Sequence, residues 1–378
     1  MSTRTARKKA LVLSGILILA VFAGLIGAQP QESQPQIPPL SAKAKAEIVE
    51  RIGTLLLSDY IFPEKAKEMQ SYLIKQLREG RYDSANSPAG FATVLTANLQ
   101  SVTKDRHLRV VHNPELTQQI RAQNSLSKDE RERQEKENLE RQRQVNFGYR
   151  RVEILDGNIG YLDLINFPGV RESGDTTIAA MNFLANTNAV IIDLRNNGGG
   201  SPFTIQLISA YFFDESTHLN SFEWRGAEDL VQFWSLPYAP GRMMADTDLY
   251  ILTSKRTFSA AEEFTYNMKN LKRATLVGET TGGGAHPGGF RIVNNDFLVW
   301  VPSGRAINPI TKTNWEGTGI EPHVPVPQEK ALDKAHAMAV EKLLQKTTDE
   351  RQKSALKSLL DRLTARLAKE SPAPISQK

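Results

Sequence analysis

Residues 189–194 read Ala-Val-Ile-Ile-Asp-Leu, an apolar run with an acid near its end, followed at once by Asn196-Asn197-Gly198-Gly199-Gly200. A run apolar at nearly every position suits a strand covered on both faces, the habit of parallel sheets. The plan recurs. Residues 249–252 are apolar, 253–258 turn, and Ser259 opens an amphipathic helix. Residues 274–277 form a further buried strand. Strands that alternate with helices point to an α/β fold whose parallel strands are joined by helical crossovers.

The chain has 378 residues, room for about two domains. Arg4, Arg7, Lys8 and Lys9 precede an uncharged apolar stretch over 10–28. We read 1–28 as a signal peptide or an uncleaved membrane anchor, either of which makes the protein exported to the periplasm or the exterior. A Pro/Gln-rich linker covers 29–40. The net charge of +5 is partly this basic flank and gathers into no aromatic-interleaved patch, so no nucleic-acid partner is expected. The chain has no cysteine, which removes disulfides, thiolate metal sites, cysteine lipidation and cysteine catalysis together.

Residues 41–106 read as a small helical module. Ser41 caps a helix with Ile48, Ile52, Leu55 and Leu56 on one face, and Pro63 and Pro88 open two more. Residues 107–147 begin with the alternating His-Leu-Arg-Val-Val-His and continue as a charge-dense segment, a solvated helix or a linker. From 148 to 327 strands and helices alternate, with hairpins expected at 156–158 and 294–295. Residues 328–378 hold two helices and a tail.

The chemistry is more ambiguous than the pattern. Ser259 with Glu262 three residues later spells a capping box. The same serine at a strand-to-helix turn also sits beside free backbone N–H groups, as a nucleophile requires. The glycine turn at 198–200 lies where α/β ligand sites gather, and lacks the Lys and spacing of a phosphate loop. Six histidines show no metal-binding spacing, so no metal and no cofactor is expected.

Four segments in order carry a resemblance: Ile191-Ile192-Asp193-Leu194-Arg195-Asn196-Asn197-Gly198-Gly199-Gly200, Thr257-Phe258-Ser259-Ala260-Ala261-Glu262, Val277-Gly278-Glu279-Thr280-Thr281-Gly282-Gly283-Gly284, and Gly319-Ile320-Glu321-Pro322. The set resembles the tail-specific, or C-terminal-processing, serine protease family. The branch it resembles includes the tricorn protease core and interphotoreceptor retinoid-binding protein. The resemblance implies a crotonase/Clp-protease-like α/β core behind the helical module. It also implies Ser259 as nucleophile and an oxyanion hole from the N–H groups of Ala260 and of Gly198 or Gly199. Bacterial relatives use a Ser-Lys dyad, but residues 282–291 contain no Lys. The tricorn-like branch uses a His after the helical module and a late Glu, which His107 and Glu316 match, with His286 as alternative base. The stretch where the family carries a PDZ domain is too short and too polar here for that fold.

The expected function is an exported serine peptidase acting on peptides or unfolded protein segments through an acyl-enzyme, of Ser-His-Glu type. The alternative is a catalytically inactive protein that binds a small apolar ligand on the same scaffold. Anchoring through residues 10–28 and an oligomeric assembly are compatible with either.

Overall fold

The computed structural model describes residues 38–369. The leader over 1–28, nearly all of the Pro/Gln-rich linker and the tail from 371 lie outside the described residues. Along the chain come α1 (Ala42–Asp59), α2 (Pro63–Arg78), α3 (Pro88–Thr103), β1 (Arg109–His112), α4 (Pro114–Ser125) and α5 (Lys128–Gln144). Next are β2 (Tyr149–Leu155), β3 (Ile159–Leu164), α6 (Val170–Leu184), β4 (Ala189–Asp193) and α7 (Pro202–Ala210). Then follow β5 (His218–Trp224), β6 (Val231–Trp234), β7 (Asp248–Thr253), α8 (Ala260–Asn270) and β8 (Ala274–Gly278). Last are β9 (Gly288–Ile292), β10 (Phe297–Pro302), β11 (Gly304–Ile307), β12 (Val324–Pro325), α9 (Ala331–Lys346) and α10 (Glu350–Ala368).

The centre is a six-stranded sheet in the order β12-β8-β7-β4-β3-β2. Every neighbouring pair is parallel except β2 with β3. The strand period of two divides its side chains between two layers. On β4, Val190 and Ile192 join a core with Met181 of α6, Ile208 of α7 and Phe264 of α8. Ala189 and Ile191 face the other way, against Ala335 and Val340 of α9 and Leu359 of α10. Helices on both faces explain why this strand is apolar at consecutive positions.

The module of α1 to α3 starts as its sequence signals direct. The Oγ atoms of Ser41 and Ser87 accept the N–H groups of Ala44 and Gly90, each at 3.1 Å. Its apolar stripes meet in a separate core with Ile52, Leu56, Met69, Phe91 and Leu95. Phe297, Val299 and Val301 of β10 close that core. They belong to a three-stranded antiparallel sheet, β1-β10-β9, so the helices complete their burial on a small sheet.

The charge-dense segment between the module and the large sheet is helical rather than a linker. The capping box of Ser127 and Glu130 starts α5, which buries none of its residues. Among the described residues, no helix is long and apolar enough to cross a membrane.

The third sheet, β11-β5-β6, matches no strand in the sequence reading. β5 reads His-Leu-Asn-Ser-Phe-Glu-Trp and buries Asn220 and Ser221 beside Leu219 and Phe222. Polar residues buried at consecutive positions erase the alternation on which a strand reading depends.

Candidate active site

The turns after β4 and β7, adjacent parallel strands, converge at their carboxyl ends. Side chains tie the two together. Thr257 Oγ1 donates to Leu194 O at 2.8 Å, and Ser254 Oγ to Arg195 O at 2.6 Å. Phe258 N–H donates to Asn197 O at 3.0 Å. Ser259 follows at the head of α8 with φ 54° and ψ −122°. A positive φ is uncommon for a residue with a Cβ and marks a turn held by its surroundings.

One holding contact is Glu262. Its carboxylate accepts the Ser259 N–H at 3.0 Å, the Gly283 and Gly284 N–H groups at 2.7 and 2.8 Å, and the Thr281 hydroxyl. Burial pushes Glu262 up to about 7, and these donated bonds pull it back toward the ionised form. The acid expected as a helix cap thus also fixes the second glycine loop against the serine turn.

The glycine turn lies directly against Ser259. A Cβ on Gly199 would stand 2.8 Å from Ser259 Cβ and 3.0 Å from Ala260 N, at a φ of +110°. The two expected oxyanion donors on this turn differ. Gly199 N–H already donates to Asn197 Oδ1 at 2.9 Å. Gly198 carries no such commitment, and Ala260 N–H is one of the first-turn donors that a helix leaves without an intrahelical acceptor.

His107 comes from the loop between α3 and β1. Its ring packs against Phe258, centroids 4.6 Å apart, and is 6% exposed. The close fit depends on Gly284, where a Cβ would meet His107 Cε1 at 2.6 Å. His107 Nδ1 is buried with no hydrogen-bond partner. Burial lowers its pKa to about 4, against the opposing pull of Asp105.

Behind His107 stands an acid pair that the sequence only half disclosed. Glu316, from the loop after β11, accepts Arg106 N–H at 3.2 Å and Ala285 N–H. Asp105 accepts His107 N–H at 3.0 Å, the Tyr60 hydroxyl at 3.2 Å and His286 Nδ1 at 2.8 Å. His286 Nδ1 is also 3.5 Å from Glu316 Oε2. Burial, then the neighbouring Asp105, raises Glu316 to about 7. Asp105 went unassigned in the sequence because a lone Asp before a His has no spacing signature.

A ring nitrogen of His107 and one oxygen each of Asp105 and Glu316 lie within 4.8 Å of one another, the grouping among the described residues that could gather a metal ion. The hydrogen bonds already accepted by both carboxylates suit a proton network better than a cation. Other histidines serve local structure: His323 Nδ1 accepts Leu276 N–H at 2.9 Å, and His336 Nε2 pairs with Asp156 O at 2.7 Å. Asp193, the acid at the end of β4, is held by Arg195 and by the Tyr161 hydroxyl.

A cavity of about 150 Å³ opens beside Ser259. Phe222, Trp224, Phe233 and Trp315 wall it, and Glu263 lines it. Three of those rings come from β5 and β6, the strands missing from the sequence reading.

Comparison with known proteins agrees with this architecture. Residues 158–326 match the model of peptidase family S41, and residues 34–156 match that of the N-terminal domain of Peptidase_S41 in eukaryotic IRBP. The carboxyl-terminal-processing peptidase 2 of Arabidopsis thaliana chloroplasts is 29% identical over 182 residues, which are 46% of this chain and 33% of that protein. The chain therefore spans about a third of that relative's length. A putative peptidase from Parabacteroides merdae ATCC 43184 shares the fold at a TM-score of 0.52 and 16% identity, over 79% of this chain and 97% of that one. A photosystem II D1 C-terminal processing protease is similar at 22% identity and a TM-score of 0.38, over 45% of this chain and 43% of that one.

Proposed function

The chain belongs to peptidase family S41, and from that membership and the geometry around Ser259 we propose that it is an exported serine peptidase. It cleaves peptides or unfolded protein segments through an acyl-enzyme. Ser259 is the nucleophile and His107 takes its proton as a neutral imidazole. Glu316 supports the loop that carries His107, through the Arg106 N–H. The N–H groups of Gly198 and Ala260 receive the oxyanion.

The observation that carries the reading is the main chain at Ser259. A helix cap needs no positive φ, whereas a nucleophile presented at a sharp strand-to-helix turn does. With no Lys between 282 and 291, the buried imidazole beside Phe258 is the base at hand.

The aromatic cavity suits an apolar ligand as well, which favours a non-enzymatic binding protein as the second reading. A fluorophosphonate separates the two. Stoichiometric labelling of Ser259, lost in Ser259→Ala and followed by peptide hydrolysis in the unlabelled protein, supports the peptidase. A folded chain that takes no label sinks it.

A further inference from the structure

We propose that the cavity beside Ser259 is a specificity pocket for a basic residue of the substrate, whose cationic tip is received by the Glu263 carboxylate. Its role in cleavage rests on Ser259 being the nucleophile.

Glu263 lies four positions after Ser259, at the spacing that places two residues on one face of a helix. It is 4% exposed, and its Oε1 has no hydrogen-bond partner. Its neighbour in the chain makes the contrast. Glu262 is equally buried and accepts four hydrogen bonds. This fold therefore satisfies one buried acid of α8 completely and leaves the next one short.

The surroundings of Glu263 are polar and incomplete in the same way. Asn220 of β5 stands close enough to Glu263 to favour its charged form against burial, yet its amide atoms stay short of a geometrically formed hydrogen bond. An unpaired buried polar atom is costly and rare, so the Glu263 oxygen lining this pocket marks where a polar ligand atom belongs.

The rest of the pocket decides which ligand. Among the described residues lining it, Glu263 is the one that ionises and none carries a positive charge. An acidic side chain would meet a carboxyl. An apolar one would leave Oε1 unpaired. A lysine or arginine lays its apolar stem along Phe222, Trp224 and Phe233 and carries its charge to the acid. Burial holds Glu263 at about 8, so it is protonated before the substrate enters. When the cation arrives, the carboxyl proton leaves to solvent and an ion pair forms.

Two peptidyl phosphonate inhibitors test this. They differ only in the residue next to phosphorus: lysine, or norleucine, which keeps the four-carbon stem and lacks the ammonium. The rate of adduct formation on Ser259 is followed by mass spectrometry in the full chain, in Glu263→Gln and in Glu263→Asp. The lysine inhibitor is expected to react at least about tenfold faster in the native chain. That ratio should collapse to about one in Glu263→Gln and stay above one in Glu263→Asp. A native ratio of one or less, or a ratio unchanged in Glu263→Gln, overturns the proposal. Failure of the nucleophile is seen separately, as no adduct with a small fluorophosphonate that leaves the pocket unfilled. In that event calorimetry with free peptides ending in lysine or norleucine decides the pocket, and equal affinities overturn it.

Discussion

The main-chain N–H of Arg106 donates to Glu316 Oε1 at 3.2 Å, across 210 positions of sequence. The bond holds the residue before His107 against a carboxylate from the loop after β11. Asp105 grips the other side of the same loop through the His107 N–H and the Tyr60 hydroxyl. The imidazole is thus positioned through its backbone, while its Nδ1 stays free. Glu316 is in this sense a positioning residue, and its relation to His107 is less direct than a triad contact.

Replacing each histidine separates base from support. His107→Ala should lower kcat about 10²–10⁴-fold, the usual contribution of a general base, with KM little changed. His286→Ala loosens Asp105 and should cost about tenfold, ~1.4 kcal/mol of barrier. Steady-state hydrolysis of a peptide substrate measures both. The opposite ranking would move the base to His286.

The two groups also titrate apart. His107 is lowered to about 4 by burial, so the base is neutral above that pH and kcat/KM should climb through about 4 on the acid side. Glu316 is raised to about 7 by burial and Asp105. If its ionised form holds the loop, the profile gains a second rise near 7, and Glu316→Gln removes that rise while leaving the one near 4. A native profile flat from about 5 to 8 would show that the charge on Glu316 does not matter.

Stability should fall as the solution becomes more basic. Burial raises Glu263 from its ordinary 4.5 to about 8. A carboxyl bound to its proton more tightly in the folded state adds stability that is full below about 4.5 and is lost as pH rises through about 8. The unfolding free energy should fall between about pH 5 and pH 8.5 by an amount on the order of a few kcal/mol, and the melting temperature should fall with it. Glu263→Gln should make the dependence shallower, leaving the part that the raised Glu262 and Glu316 contribute. A native curve as flat as that of the variant contradicts the buried, unpaired state of this acid.

Gly199 and Glu262 should fail in different ways. Gly199→Ala puts a Cβ 2.8 Å from Ser259 Cβ in a left-handed conformation, so labelling of Ser259 should slow about 10²-fold or more, with a loss of about 1–3 kcal/mol in stability. Glu262→Ala strands the Gly283 and Gly284 N–H groups and should cost about 3 kcal/mol or more by chemical denaturation. Urea melts beside labelling rates distinguish the two.

Much of this was legible because it is local. The covered strand at 189–193, the cap Ser41, and the prolines opening α2 and α3 each act within a few residues. The third sheet was hidden because Asn220 and Ser221 are buried polar residues, and burial is not written in a strand's own pattern. The pocket was hidden with it, since Phe222, Trp224 and Phe233 ride on those strands. Asp105 was on view beside His107, but its three donors come from His107 itself, α1's end at Tyr60, and the loop after β8.

Taken alone, the sequence determined the α/β plan, the serine at a strand-to-helix turn and the glycines able to lie against it, because backbone preference and hydrophobic period are properties of short segments. The tertiary structure decided which acid serves which group. Glu262 closes four hydrogen bonds, Glu263 is left short of them, and Asp105 and Glu316 divide the His107 loop between them. A carboxyl's role depends on the donors that meet it and on how far water is excluded, and both are set only when distant segments pack.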